Sequence, residues 1–332
     1  MAKFLLFCLL ICLPGLVLPQ DIVHFPNDLR EVPIAFNPAF IFEKKISRIH
    51  VAVSLKPDNQ VIQDKGLVES YAFDTLGRMT EYYRTRVKGY GMKEIQHAAV
   101  YRKGKRVRRP WVETVYQYSY DTVFVNFYYD SLDRLVVRRL NDGDFYNAWY
   151  FKYNNENQII TQLQCRETNT ELSRKNFKIG VQNILSTEQF SYEKLTPTQT
   201  KRRCLNDEGK SYKEIILNYD SAGRLVDEYS SFVVTWVKQH NTYAYDSLGR
   251  LSELVYHEYS GEETIEKSTF EYDTLGHMAM RRNYKNDTLL DEVNFLYKKT
   301  EPSVNAIVNR RKKDAMIDIQ KFTYEYYIPP KK

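Results

Sequence analysis

Residues 243–251 read Tyr-Ala-Tyr-Asp-Ser-Leu-Gly-Arg-Leu, and closely similar stretches recur along most of the chain. Six copies are clear, at residues 71–79, 127–135, 151–159, 217–225, 243–251 and 270–278. Each copy places an aromatic residue directly before an Asp or Asn. These acidic or amide residues stand at 74, 130, 154, 220, 246 and 273, so the spacings are 56, 24, 66, 26 and 27 residues. A repeat of about 25 residues therefore decides the fold class.

Each copy has the residue order of a β-hairpin. Aromatic side chains two positions apart, such as Tyr243 and Tyr245, point to the same face of a strand. Asp favours the first position of a type I turn and Gly the fourth, which matches Asp246 and Gly249. In a three-residue hairpin of this kind the fourth residue adopts the left-handed conformation, so we expect positive φ at Gly249. The predicted turn residues are Asp74, Gly77, Asp130, Asp133, Asn154, Asn157, Asp220, Gly223, Asp246, Gly249, Asp273 and Gly276.

The imperfect copies follow the same backbone rule. Where Gly is missing, its position holds Asp133 or Asn157, and Asp and Asn are the other residues that tolerate the left-handed conformation. The two long gaps each contain a candidate divergent turn, at residues 103–105 and 206–209. Turn geometry, rather than glycine itself, is predicted to repeat.

The two residues after the turn complete the unit. An Arg stands at 78, 134, 224 and 250, with Gln158 and His277 as variants, and an aliphatic residue always follows. We expect this aliphatic side chain to oppose the aromatic residue before the Asp across the hairpin. The Arg either pairs with a carboxylate, stacks on a tyrosine ring, or remains an exposed charge.

A single hairpin is marginally stable, so neighbouring units are expected to pair edge to edge. The sequence thus predicts an all-β protein: an antiparallel meander of hairpins that forms a long, twisted, curled sheet or a partial barrel or shell. We expect one β domain over residues 21–332, with clear repeats at 71–278 and divergent flanks. The chain contains 27 Tyr and 17 Phe, which suits half-buried strands.

The first 20 residues are predicted to be a signal peptide, because Lys3 precedes a short apolar run that ends at Pro14. We expect the mature chain to be secreted, periplasmic or attached to the cell surface, with no transmembrane span; a lipid anchor on Cys8 or Cys12 is disfavoured by the bulky residues before them. Only Cys165 and Cys204 would remain in the mature protein. They form either one disulfide or two free or buried thiols.

The motif resembles the YD-repeat family, found in bacterial Rhs proteins and in teneurins, whose units read aromatic-x-Tyr-Asp-x-x-Gly-Arg-Leu. The resemblance covers residues 71–278. It implies a hairpin-rich extracellular or envelope protein, in large members a shell around a toxic cargo or a surface for cell contact. At 332 residues the chain is too short for a full shell, so a scaffold or adhesive surface is the role that the resemblance favours.

No motif for a metal, a cofactor or a nucleophile is present, and the net charge of +6 is too dispersed to predict a nucleic-acid partner. We therefore expect a non-catalytic protein that binds a cell-surface glycan or another envelope protein. The alternatives are an envelope glycan hydrolase with a carboxylate pair on the concave face, and an accessory of an Rhs-type shell. The expected binding surface consists of the motif aromatics Tyr71, Phe73, Tyr129, Tyr153, Tyr219, Tyr243, Tyr245 and Tyr272.

One basic cluster stands apart from the repeat. Residues 102–109 read Arg-Lys-Gly-Lys-Arg-Val-Arg-Arg, with six cations and no anion. Such a cluster is typical of a charged hairpin turn, and it also suits binding to an anionic polysaccharide or to surface lipid. The sequence alone leaves both interpretations open.

Overall fold

The computed structural model describes residues 23–24, 32–142, 145–171, 177–299 and 303–327. The predicted signal peptide at 1–20 lies outside these residues. The described chain contains 22 strands and one helix, α1 (Pro38–Lys44). The first eleven strands are β1 (Val23–His24), β2 (Ala35–Phe36), β3 (Ile46–Pro57), β4 (Gln63–Phe73), β5 (Met79–His97), β6 (Val100–Arg102), β7 (Lys105–Arg108), β8 (Trp111–Tyr129), β9 (Leu135–Asp142), β10 (Tyr146–Tyr153) and β11 (Ile159–Asn169). The remaining eleven are β12 (Ile179–Thr196), β13 (Gln199–Leu205), β14 (Ser211–Tyr219), β15 (Leu225–Phe232), β16 (Lys238–Tyr245), β17 (Leu251–Tyr259), β18 (Glu263–Tyr272), β19 (Met278–Lys285), β20 (Thr288–Tyr297), β21 (Val304–Arg311) and β22 (Met316–Tyr326).

Eighteen of these strands form one closed antiparallel barrel. The order is β3, β4, β5, β8 and then β9 to β22 in sequence, and β22 pairs with β3 from Met316↔Pro57 to Tyr326↔Ile46. The all-β antiparallel meander is confirmed, but the expected curled sheet or partial barrel is wrong, because the barrel is closed. Closure pairs the last strand with the first and so removes both sheet edges. The strand pairs β1–β2 and β6–β7 lie outside this barrel.

Each of the six motif turns follows a strand of the same direction (β4, β8, β10, β14, β16 or β18), so all six lie at one end of the barrel, here named the motif end. Gly249 has φ 80°, while Asp133 and Asn157 have φ 63° and 60°. The left-handed conformation predicted at the fourth turn position is confirmed in both glycine and non-glycine copies. The divergent turn at 206–209 has the same geometry, with Gly209 at φ 75°, but it lies at the opposite end.

The cross-strand register confirms how each motif packs. The aromatic residue before the Asp pairs with the aliphatic residue after the Arg in all six copies: Phe73↔Met79, Tyr129↔Leu135, Tyr153↔Ile159, Tyr219↔Leu225, Tyr245↔Leu251 and Tyr272↔Met278. A β-bulge lies next to each of these pairs, on the side away from the turn. The bulge adds one residue on the second strand and increases the local twist, which suits a sheet that curves into a barrel.

The segment Val32–Lys44 packs against the motif end. Asn37 caps α1 by accepting a hydrogen bond from the Ala39 amide at 3.0 Å, and Pro38 stands at the first turn, where its missing N–H costs nothing. Phe40 and Ile41 of α1 are buried. A Cβ at Gly77 would lie 2.1 Å from the Pro38 carbonyl oxygen, so the helix sits directly on the first motif turn.

This segment identifies the inward face of the barrel. Buried side chains of nine neighbouring strands, β18–β22, β3–β5 and β8, form one apolar cluster with Val32–Ile41. Side chains on the convex outer face of so wide an arc could not converge on a segment of this size. Tyr71, Tyr82 and Val125 are successive cross-strand partners in this cluster, and their face is therefore the inner one.

Candidate binding cavity and tyrosine ladder

The motif Asp holds its own turn together. In the copy at 220, Oδ1 accepts hydrogen bonds from the amides of Ala222 and Arg224 at 2.9 Å each, while Oδ2 accepts one from Arg224 Nε at 2.7 Å. The backbone amide and the guanidinium of Arg224 lower the pKa of Asp220. The same contacts recur at Asp130, whose pKa the Arg134 side chain and amide lower. The motif carboxylates are therefore occupied by structural bonds.

The motif Arg links one repeat unit to the next. Besides its own Asp, each guanidinium covers the tyrosine ring of the following unit: Arg78 over Tyr129 (4.8 Å), Arg134 over Tyr153 (4.9 Å), Arg224 over Tyr245 (4.6 Å) and Arg250 over Tyr272 (4.2 Å). His277, the variant, stacks on Tyr297 at 4.8 Å. Both of the partners expected for the motif Arg, a carboxylate and a tyrosine ring, are present, and each Arg contacts both.

Tyrosine hydroxyls complete this ladder. Each donates a hydrogen bond to the carbonyl of the aliphatic residue in the preceding unit: Tyr129 to Met79 (2.9 Å), Tyr153 to Leu135 (2.7 Å), Tyr245 to Leu225 (2.7 Å), Tyr272 to Leu251 (2.8 Å) and Tyr297 to Met278 (3.0 Å). Burial is the first cause that raises the pKa of Tyr129 and Tyr245. We name this arrangement the tyrosine ladder.

The ladder changes the interpretation of the expected binding surface. Tyr71, Phe73 and Tyr243 are buried, and Tyr129, Tyr153, Tyr219, Tyr245 and Tyr272 are partly buried. The motif rings therefore do not form an open outward surface, because their edges and hydroxyls pack against neighbouring units. Only Tyr153 of this set also lines the cavity described next.

A cavity of about 670 Å³ opens on the inward face beside β9–β15. The cross-strand register places its walls on the same face as Tyr82 and Val125, because directly opposed residues share a face. The opposed residues are Phe151, Gln162 and Glu188 on β10–β12, and Phe190, Cys204, Lys213 and Phe232 on β12–β15. Six aromatic rings line it: Phe151, Tyr153, Phe190, Tyr192, Tyr212 and Phe232. The charged lining residues are Arg138, Arg202, Lys213 and Glu188.

Two of these cations have no ion-pair partner among the described residues. The Arg202 guanidinium lies 5.8 Å from the centroid of the Phe190 ring, and Lys213 Nζ lies 4.8 Å from that of Phe232. Burial lowers the pKa of Lys213. Glu188 accepts a hydrogen bond from the Tyr212 hydroxyl at 2.8 Å. The cavity therefore combines apolar ring faces with two cations that remain available to an anion.

The cavity lining offers one carboxylate, which bears on the carboxylate pair considered from the sequence. Retaining and inverting glycosidases both need two carboxyl groups across the scissile bond. Glu188 is the single Asp or Glu that lines this cavity. Among the described residues, His, Cys, Asp and Glu side chains also form no cluster of three or more that suits a metal ion.

Of the two alternatives for the cysteines, the structure shows the free thiols and not the disulfide. Cys165 and Cys204 are both buried, free thiols. Cys165 lies on β11 opposite Ile184, whereas Cys204 lies on β13 opposite Phe190, so β12 separates them. Two strand spacings put them about 9.6 Å apart even without the offset along the strands, beyond the Cα separation that a disulfide spans.

Comparisons with known proteins reach only distant structures. No family model matches the chain, and no curated protein matches it. A porin-like protein from Bacteroides uniformis ATCC 8492 has TM-score 0.36 at 11% identity, over 84% of this chain and 98% of that one. A porin-like protein from Bacteroides vulgatus ATCC 8482 has TM-score 0.33 at 9% identity, over 85% and 99%. The TcdB2-TccC3-TEV structure has TM-score 0.27 at 12% identity, over 75% of this chain and 16% of that one.

All three scores are low, so the similarity to the YD-repeat family rests on the motif. The described part of the chain also contains no helix with the length and apolar character of a membrane span.

Proposed function

We propose that this protein is an exported, non-catalytic envelope protein of YD-repeat type that binds a glycan inside its barrel. The observation that carries the proposal is the inward cavity of about 670 Å³ with six aromatic rings and two cations free of ion pairs. This volume lies within the range of pockets that enclose small ligands. Flat ring faces pack against the apolar faces of sugar rings, and their rigidity keeps the entropy cost of binding low.

The charges of the cavity favour an acidic sugar over a neutral one. Arg202 and Lys213 stand among rings that shield them from water, where an ion pair with a ligand carboxylate or phosphate is stronger than on the surface. A guanidinium also binds such groups with two parallel hydrogen bonds. We therefore assign the ligand to glycans that carry carboxylate or phosphate groups.

The test is a glycan array with the mature chain, followed by calorimetry with an oligo-uronic acid and its neutral counterpart. We expect the acidic probe to bind more tightly, and Arg202→Gln to weaken it roughly tenfold, the loss typical of one charge-assisted hydrogen bond. Phe190→Leu should weaken both probes. Arg106→Gln, which removes a cation far from the cavity, is the matched control.

Two results would count against the proposal. If neither probe binds, or if Arg202→Gln and Arg106→Gln behave alike, the cavity does not select an acidic glycan. Release of reducing ends from the array ligand, abolished by Glu188→Gln, would instead support the hydrolase alternative.

A further inference from the structure

The structure has a long arm that the cavity does not use. β5 and β8 each contain 19 residues and pair with each other from Glu81↔Asn126 to His97↔Trp111. On one side β4 pairs with β5 only as far as Arg84, and on the other β9 pairs with β8 only as far as Val123. β4 still contacts the base of this pair, because Val68 N–H donates to Thr85 Oγ1 and the Tyr120 hydroxyl donates to the Lys65 carbonyl. The pairs from Gly89↔Ser119 outward have no third strand paired with them among the described residues. They form a two-stranded arm that extends about 30 Å beyond the barrel wall, at about 3.3 Å per residue.

The hairpin β6–β7 forms the tip of this arm, at the barrel end opposite the motif end. Its six cations are all exposed, and none pairs with a carboxylate in the described chain: Arg102, Lys103, Lys105, Arg106, Arg108 and Arg109. Glu113, the carboxylate that lies nearest along the chain, is paired with His97 at 2.7 Å. The tip is therefore a concentrated positive charge with no internal neutralisation.

Apolar side chains share the tip with these cations. Val100, Tyr101 and Val107 are 43%, 63% and 60% exposed. Trp111 stacks on His97 at 4.4 Å and carries the Arg108 guanidinium 3.6 Å above its ring. An acidic glycan would contact the cations and the aromatic rings of the tip, but it would leave the exposed Val100 and Val107 without an apolar partner. A lipid surface binds both, since headgroups attract the cations while aromatic and aliphatic side chains enter the interface.

We propose that the arm tip, residues 100–111, docks the protein on an anionic lipid surface. The arm places this contact about 30 Å beyond the barrel wall, so lipid binding leaves the cavity open. Because the tip and the cavity share no residue, this inference stands independently of the glycan proposal.

The experiment is flotation of the full mature chain with vesicles of phosphatidylcholine, with or without phosphatidylglycerol. We expect binding to the vesicles that contain phosphatidylglycerol, weaker binding as salt rises, and none to pure phosphatidylcholine. Each Lys or Arg at such a surface strengthens binding roughly fivefold, so Lys105→Glu with Arg106→Glu should weaken it more than about 20-fold.

Matched variants separate charge from contact chemistry. Lys312→Glu with Lys313→Glu reverses two exposed cations in the β21–β22 turn, at the same end of the barrel, and should change vesicle binding far less. Tyr101→Ser with Val107→Ser keeps every charge and should still lower vesicle binding, most visibly at raised salt. Circular dichroism checks that all variants keep the strand signal.

Three outcomes would overturn the proposal: no binding to phosphatidylglycerol vesicles, equal loss in the two charge-reversal pairs, or no effect of the Tyr101 and Val107 changes. Tight retention on heparin without vesicle binding would assign the tip to a polyanionic glycan instead.

Discussion

Glycine substitutions at two motif turns should have opposite tolerance, although both glycines have the same backbone conformation. Gly223 has φ 78° and a Cβ there would meet nothing within 4 Å. Gly223→Asn should therefore be nearly neutral, as Asp133 and Asn157 already show at this position in other copies. Gly223→Val should cost about 1–2 kcal/mol, because a β-branched residue resists the left-handed conformation. This site is cleaner than Gly249, where a Cβ would lie 2.9 Å from Arg224 Nη1.

Gly77 should not accept Asn, despite φ 82°. Its Cβ would lie 2.1 Å from the Pro38 carbonyl oxygen and 2.8 Å from the Phe42 amide nitrogen, so α1 must move away. Displacing α1 exposes Phe40 and Ile41, and each of these buried side chains contributes about 1.5–3 kcal/mol. We expect a loss of about 3–6 kcal/mol.

The assay is urea unfolding of the four proteins: the wild type, Gly223→Asn, Gly223→Val and Gly77→Asn. Equal midpoints for the two Gly223 variants would refute the left-handed turn. A Gly77→Asn midpoint close to that of Gly223→Asn would refute the docking of α1 on the first turn. Equal unfolding slopes across the set are needed for this comparison, because they show that the denatured state is unchanged.

Three further predictions concern stability. Tyr272→Phe removes one ladder hydroxyl and should cost about 1 kcal/mol in urea unfolding, whereas Tyr90→Phe, on the exposed arm, should cost nothing measurable. Glu167→Gln leaves Arg139 buried without its carboxylate, which is 2.7 Å away, and should cost about 3–5 kcal/mol; the double variant Glu167→Leu with Arg139→Met should recover much of this loss. Burial, followed by the hydrogen bond to Glu167, raises the pKa of Tyr150 to about 12. The stability that neutral Tyr150 contributes to the folded state is therefore complete below pH 10 and is lost as the pH rises through 12. Ultraviolet difference titration of the wild type against Tyr150→Phe isolates this one tyrosine, which should ionise near pH 12; its ionisation near pH 10 would contradict the prediction.

The sequence predicts the local geometry of this protein well because that geometry is set within each nine-residue motif. Asp220 bonds two amides within four residues, and the Gly223 conformation follows from the same turn. Tyr219 opposes Leu225 across a connection of five residues. Such contacts require no knowledge of distant chain segments. The helix α1 also had a local signal, Asn37 followed by Pro38, which sequence reasoning missed.

Features that join distant segments could not be predicted in the same way. The cavity is built from β9–β15, where the motif spacing is interrupted, and its rings and cations come from six different strands. Arg202 and Lys213 carry no motif, and only the register brings them to one face. The sequence also left a disulfide between Cys165 and Cys204 as an open alternative, because it could not show that β12 lies between them. At the closing seam Tyr326 opposes Ile46, as the motif tyrosines oppose aliphatic residues. No Asp and Gly of the motif join these two strands, so the sequence carries no sign of this pairing.

The closing seam between β22 and β3 gives a direct test of the barrel. Ala52 and Lys321 are Cα partners across it, and both side chains are exposed. Directly opposed residues in an antiparallel pair lie about 4.5–5.5 Å apart, within the range of a disulfide. Ala52→Cys with Lys321→Cys should therefore oxidise to an intramolecular bridge. Because the bridge encloses about 270 residues, it should stabilise the barrel by up to about 5 kcal/mol.

A matched pair distinguishes true neighbours from residues that merely share the outer face. Ala52→Cys with Glu271→Cys places the second thiol on β18, five strands from β3 and so about 24 Å away. This pair should stay reduced under the same oxidation, as shown by mass spectrometry after thiol labelling. Because an open curled sheet would leave β3 and β22 apart, it would make the two pairs behave alike. A reduced Ala52–Lys321 pair beside intact strand signal would therefore refute closure, whereas the bridge alone would show that residues 269 positions apart in the chain meet at one seam.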